Sequence, residues 1–153
     1  MAYVEDTDRE DGVCPFCITI DRATNLPGLV VHAGNTSYVS LNLYPYNNGH
    51  LLVLPYRHVP DLVQLTQEEA TEMMLLLVEA RTVLEKALVP DGYNIGTNLG
   101  SAAGAGIPGH VHFHVVPRWD GDTNFMPVTG DVKVLPEALE KTRERIIAAW
   151  NNL

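Results

Sequence analysis

At 153 residues the chain is the size of one domain and long enough to bury a core without disulfides or an obligatory metal. Ten Lys and Arg against 19 Asp and Glu give a formal charge of −9, which excludes a groove gripping long nucleic acid through many phosphates but leaves room for a small anion held by local donors. No stretch approaches the roughly 20 apolar residues that span a membrane, and the acidic start lacks the basic and apolar regions of a signal peptide, so a cytoplasmic protein is expected.

Residues 1–12 read as a flexible acidic lead, and residues 13–153 as a single domain. Leu29 to His32 and Ser37 to Leu43 read as strands of a hairpin turning at Ala33-Gly34-Asn35. After the polar loop from Tyr44 to Gly49, His50 to Pro55 reads as a buried strand closed by proline. Thr66 and Glu69 form a capping-box signal that opens a long helix to Leu88, with apolar positions at Met73, Met74, Leu77, Val78, Val83 and Leu84. Val89-Pro90-Asp91-Gly92 stops it, Tyr93 to Asn98 resumes as a strand, and Gly100 to Gly109 is a small-residue loop. A histidine-bearing strand follows, and Pro136 opens a final helix through about Trp150. Strands first, then a helix, then two more strands predict an α+β fold: a mostly antiparallel sheet of about five strands with one long and one C-terminal helix on one side.

The histidine strand carries the chemistry. In His110-Val111-His112-Phe113-His114-Val115-Val116, three of the six histidines alternate with apolar residues, and residues at i, i+2 and i+4 of an extended strand share a face. Three readings fit: a half-exposed strand, a metal cluster, or an imidazole nucleophile oriented by its neighbours. The preceding glycine-rich loop, whose small side chains let backbone N–H groups approach an anion, favours the nucleophile acting on a phosphoryl group. Cys14 and Cys17, the only cysteines, are too close in sequence to close a stabilising loop, which points to a reducing compartment. Their Cys-x-x-Cys spacing suits a redox pair or half a metal site, but no strand precedes them as a thioredoxin-like unit requires.

These residues resemble the HIT superfamily, named for its histidine triad, whose His-φ-His-φ-His-φ-φ pattern (φ apolar) is matched in full from His110 to Val116. The resemblance runs from Cys14 to about Trp119, and Gly-His-Leu-Leu-Val-Leu-Pro and Val-Val-Pro-Arg-Trp-x-Gly-Asp-x-Asn-Phe are similar to the bacterial diadenosine polyphosphate hydrolases and phosphorylases. It implies a HIT-like fold and nucleotidyl transfer: His112 attacks an α-phosphorus, a covalent nucleotidyl-histidine forms, and water or inorganic phosphate resolves it, with no catalytic metal or other catalytic cofactor. His114 would contact phosphoryl oxygens or assist the leaving group, and a carbonyl bonded to the other nitrogen of His112 would fix its tautomer.

By the same resemblance Asn42, eight residues before His50, contacts ribose, its alternative being a turn cap. Asn98 contacts phosphate or the scissile bridge, and His50 borders the active site. The interval from Asn98 to His110 is one residue longer than in the familiar hydrolases, and Ile107 stands where many members carry Ser or Thr, so backbone donors near Gly106 are expected to serve the leaving group. Leu41, Leu43 and Leu52 line either a base pocket or the core. A structural zinc is implied on Cys14, Cys17, His58 and His110, against two unligated thiols. A homodimer is implied too, with the Met73 to Val78 stripe as its surface or as core. The expected substrate is a dinucleoside polyphosphate such as diadenosine tetraphosphate. A nucleoside phosphoramidase of the same superfamily and a nucleotide- or metal-binding module without turnover are the alternatives.

Overall fold

The computed structural model describes residues 14–17, 28–123 and 137–153; the acidic lead expected over residues 1–12 lies outside them. Strands β1 (Val30–Ala33), β2 (Ser37–Leu41) and β3 (Leu51–Pro55) precede helix α1 (Gln67–Leu88); β4 (Gly92–Gly96), β5 (Phe113–Arg118) and helix α2 (Leu139–Trp150) follow. The strands form one sheet in the order β1-β2-β3-β5-β4, every neighbour antiparallel. Among the described residues this is the expected α+β architecture, five strands with one long and one C-terminal helix.

Strand alternation divides the sheet into two faces. Val39 and Leu41 of β2, Leu51 and Val53 of β3 and Val115 of β5 pack with Met73, Leu76, Leu77, Ala80, Val83 and Leu84 of α1 and with Ile146 and Trp150 of α2. Leu52 and Leu54 point the other way and meet Val30, Tyr38, Phe16 and Tyr56. Both faces of β3 are thus covered, which is why its sequence is an unbroken apolar run. Leu41 belongs to the helix-side core, Leu52 to the opposite face, and Leu43 is exposed.

Thr66 and Glu69 close the capping box in both directions at the start of α1. On its apolar stripe, however, Met74, Leu75 and Val78 are exposed while Met73, Leu76 and Leu77 are buried. Three further boundaries differ from the sequence pattern. Helix α2 begins at Leu139, with Ala138 as N-cap, rather than at Pro136. β4 ends at Gly96, and the ladder of β5 begins only at Phe113. At the last of these, β3 pairs with β5 through Leu51, Leu52 and Val53 alone, opposite Val115, His114 and Phe113, and the chain before Phe113 leaves the ladder although β3 runs on to Pro55. Upstream, the chain is held by loops instead, with the Val111 amide on the Val59 carbonyl at 2.7 Å and the His110 amide on that of Ile107 at 3.3 Å.

Candidate active site

The three triad histidines lie beside one another on the face of the sheet opposite the helices, in the lead-in and first residues of β5. The rings of His112 and His114 meet edge to face at 4.9 Å, and Phe16 packs on both His110, at 5.8 Å, and His112, at 5.0 Å. Phe16 lies between the two cysteines and carries no sequence signal of its own, since a single aromatic at a Cys-x-x-Cys turn has no spacing that ties it to the histidines. Its own position is fixed by Tyr38, whose hydroxyl donates to the Phe16 carbonyl at 2.8 Å.

Backbone groups have fixed hydrogen-bonding sense, so they identify which ring nitrogens carry protons. His112 Nδ1 lies 2.8 Å from the His110 carbonyl, which can only accept. Nδ1 therefore carries the proton and Nε2 keeps its lone pair. Burial pushes the His112 pKa down, with the carbonyl contact opposing, so the ring is held neutral near pH 7. A buried neutral imidazole with a fixed tautomer and one free nitrogen is competent as a nucleophile. Thr97 donates to the His112 carbonyl at 2.7 Å and steadies the backbone at the same residue.

The same reasoning runs through the third histidine. The Tyr46 amide, which can only donate, lies 3.0 Å from His50 Nδ1. His50 is fully buried, and in its neutral form the proton sits on Nε2, which is 2.9 Å from His114 Nδ1. His114 Nδ1 is then the acceptor and His114 Nε2 carries the proton. Burial, and secondarily the neighbouring His112, pushes the His114 pKa down to about 4, so it offers that proton as a neutral donor. Tyr46 caps the arrangement, its ring stacked at 19° on His114 with centroids 5.7 Å apart. Neither Tyr46 nor its amide has a sequence signal, since a backbone donor can come from any residue.

Asn42 is buried beside this chain of rings. Its Oδ1 accepts the Tyr44 amide at 3.0 Å, a turn-capping bond, and its Nδ2 lies 3.4 Å from His50 Nδ1. Asn98 and Gly106 are half-buried in the connection between β4 and β5, and among the described residues neither bonds the imidazoles. That connection tightens into a 3-10 turn at Ser101–Ala103, whose amides at Ala103, Gly104 and Ala105 bond back to Gly100 and Ser101. Those three N–H groups are therefore committed to the loop itself, unlike the general supply of donors its composition suggests. The Gly106 amide takes no part in these three turn bonds.

A second constellation adjoins the first. Cys14, Cys17, His58 and His110 bring one ligand atom each to within 4.8 Å of one another. Cys14 Sγ is 3.6 Å and Cys17 Sγ 3.7 Å from His110 Nδ1, and Cys17 Sγ is 3.3 Å from His58 Nδ1. Around a tetrahedral zinc with Zn–S of about 2.3 Å and Zn–N of about 2.0 Å, sulfur and nitrogen ligands stand about 3.5 Å apart. The cluster therefore has the dimensions of a closed metal site. His110 Nε2 donates to the Pro55 carbonyl at 2.9 Å, which turns the lone pair of Nδ1 toward the thiols, the usual way a ligating imidazole is oriented. Both cysteines are free thiols. His32 stands apart, stacked on Trp150 at 4.6 Å.

A family model described as "HIT domain" matches residues 23–121. The chain is 45% identical over 131 residues, 86% of its own length and 67% of the relative's, to a protein named "AP-4-A phosphorylase" from Mycobacterium tuberculosis. Among solved structures it is similar to a hypothetical histidine triad nucleotide-binding protein from Sulfolobus tokodaii, with TM-score 0.73 and 27% identity over 92% of this chain and 93% of that one. It is also similar to a Zn-bound histidine triad family protein from Mycobacterium smegmatis, with TM-score 0.67 and 25% identity over 83% and 86% of the two chains.

Proposed function

The chain belongs to the HIT domain family, and from that premise we propose that it cleaves dinucleoside polyphosphates such as diadenosine tetraphosphate at an α-phosphate, through a covalent nucleotidyl intermediate on His112. The observation that carries this reading is the 2.8 Å bond from His112 Nδ1–H to the His110 carbonyl, which leaves Nε2 as the free nucleophile. The Nε2 lone pair attacks the α-phosphorus, a P–N bond forms, and the P–O bond to the polyphosphate breaks with its electrons leaving on that oxygen. His114 Nε2–H donates to a phosphoryl or leaving-group oxygen as charge builds. An oxygen of inorganic phosphate, or of water, then attacks the same phosphorus and the P–N bond breaks, restoring His112. The name of the Mycobacterium tuberculosis relative supports phosphate as the acceptor.

Asn42, beside His50 and with a lone pair of Oδ1 left beyond the Tyr44 bond, takes the ribose. Asn98 and the Gly106 amide take the phosphate side, where Ile107 supplies no hydroxyl. Cys14, Cys17, His58 and His110 hold a structural zinc, a reading supported by the ligand spacing and by the Zn-bound neighbour. Bound there, the ion would brace the chain just before the nucleophile and take no part in the chemistry. Free thiols in ligand geometry also support a reducing, cytoplasmic setting. Among the described residues no helix is long and apolar enough to cross a membrane. The exposed Met74, Leu75 and Val78 of α1, with the outer edge of β4, support a homodimer, which a monomeric mass in light scattering would refute.

Product analysis with diadenosine tetraphosphate tests the function. ADP plus ATP that appear only with phosphate identify a phosphorylase, and AMP plus ATP without it an asymmetric hydrolase. His112→Ala is expected to lower turnover on the order of 10³-fold or more. Retained turnover in that variant would overturn the covalent mechanism, and a wild-type protein that binds the dinucleotide without cleaving it would favour a binding module.

A further inference from the structure

The loop between β2 and β3 is held to the end of β5 by a side chain that touches no histidine ring. Asn47 is buried, and both protons of its amide have acceptors: the Pro117 carbonyl at 3.1 Å and Asp122 Oδ2 at 2.7 Å. Its own carbonyl accepts the His50 amide at 3.2 Å. Asp122 in turn is clamped by Arg118, whose Nε and Nη2 each lie 2.6 Å from a carboxylate oxygen, and by the Trp119 amide at 3.1 Å. Bidentate pairing of this kind fixes the direction as well as the distance of the carboxylate. Asn47 is thus anchored on both sides, and the residue immediately before it is Tyr46, whose amide sits against His50 Nδ1.

We propose that Asn47, anchored by Asp122 and Arg118, is a positioning residue that keeps the proton of His114 on Nε2 by holding the Tyr46 amide against His50. The argument is one of hydrogen-bond sense. A neutral imidazole has two tautomers, and the partner of one nitrogen decides which is present. While the Tyr46 amide donates to His50 Nδ1, His50 must donate from Nε2, and His114 must accept at Nδ1 and present a proton at Nε2. With the loop released, His50 Nδ1 loses the 3.0 Å amide bond and the hold on its tautomer weakens to contacts such as the longer one from Asn42 Nδ2 at 3.4 Å, so part of the population carries the His50 proton on Nδ1. The pair then reverses: His50 Nε2 accepts, His114 Nδ1 donates, and His114 Nε2 turns a lone pair toward the oxygen it should bond. The nucleophile is untouched, because His112 takes its tautomer from the His110 carbonyl.

The kinetic part of this proposal rests on the function given above, but the tautomer does not. The test is the pattern of two-bond 1H–15N couplings of the His114 ring, recorded on full-length 15N-labelled protein near neutral pH without substrate. Wild type is expected to show the Nε2–H form, and Asn47→Ala a mixture or the Nδ1–H form. In the same variant kcat is expected to fall about tenfold with KM little changed. Asp122→Asn, which keeps the side-chain volume, carries the same readout should Asn47→Ala fail to fold. Asn94→Ala removes only the outer partner of Arg118, at 2.9 Å, and should leave both the spectrum and the kinetics as in wild type. A folded Asn47→Ala or Asp122→Asn protein whose His114 keeps the Nε2–H form overturns the proposal. A changed tautomer in a protein whose wild type cleaves no dinucleoside polyphosphate would instead leave it standing and remove the proposed function.

Discussion

Replacing Glu69 by Gln tests how far the loop that carries His58 depends on a single carboxylate. Glu69 is buried at the start of α1, where it accepts Arg57 Nε at 2.6 Å, Arg57 Nη2 at 2.7 Å and the Thr66 amide at 2.8 Å. The Arg57 guanidinium is the largest cause, with the capping bonds behind it, and together they hold the carboxyl down from 4.5 to about 2 against the cost of burial. At about 1.4 kcal/mol per pH unit this corresponds to about 3 kcal/mol. Because the Arg57 side chain is 50% exposed, water screens the pair, and about 1–2 kcal/mol is expected in practice. The sign follows from the depressed folded-state value. The stabilisation is fully present above about pH 4.5 and is lost as pH falls toward 2. Glu69→Gln should therefore unfold at lower urea than wild type at pH 7 by that amount, with the two converging in acid. A deficit of the same size at every pH would assign the effect to packing, and equal stability at pH 7 would refute the reasoning.

Two glycines give further tests. A Cβ on Gly109 would stand 3.3 Å from His58 Nε2 and 3.4 Å from Cε1, so Gly109→Ala must push that ring aside. Metal ligands tolerate displacements of only about 0.2 Å, and zinc affinity measured against a chromophoric chelator should fall about tenfold, whereas Gly96→Ala, which meets open space, should not change it. Undiminished zinc binding in Gly109→Ala would remove His58 from the ligand set. Gly49 has φ +75°, and a Cβ there would overlap Leu88 Cδ1 and lie 3.2 Å from Leu84 Cδ2. Strain and overpacking together should destabilise Gly49→Ala by about 2–4 kcal/mol in urea unfolding. A loss below about 1 kcal/mol would mean that the end of α1 yields to the new methyl.

The features legible in the sequence are those set by local spacing. Thr66 and Glu69 announce their capping box because both partners lie within one turn, and the alternation of His112 and His114 brings their rings together because residues two apart in an extended chain share a side. The β-ladder of β5 starts later than that alternation suggests, since its extent depends on how many residues of β3 face it, which no local pattern records. Likewise Met74 and Val78 fit the helical period yet lie outside the core, because the sheet covers only part of the apolar arc of α1. In the site, the histidines and cysteines stand out by their chemistry. Phe16, Tyr46 and Asn47 do not, because each acts through a ring edge, an amide or a pair of carbonyl and carboxylate acceptors brought near by folding.

Three identical side chains at alternate positions come to differ because each meets a different neighbour on its second nitrogen. His110 gives its Nε2 proton to the Pro55 carbonyl and turns a lone pair to the thiols. His112 gives its Nδ1 proton to the carbonyl of His110 and keeps a lone pair on Nε2, the one the proposed function directs at phosphorus. His114 accepts from His50 and keeps a proton on Nε2. His110 takes part twice, by its ring in the Cys/His cluster and by its carbonyl at His112. A shift of its backbone therefore moves the ligand set and the bond that sets the His112 tautomer together, and a metal bound at the thiols restrains both. The division of labour lies less in the triad than in the two carbonyls and the ring placed behind it, which is why the motif alone leaves a choice between metal site and nucleophile, and why the proposed function gives one residue to the first and another to the second.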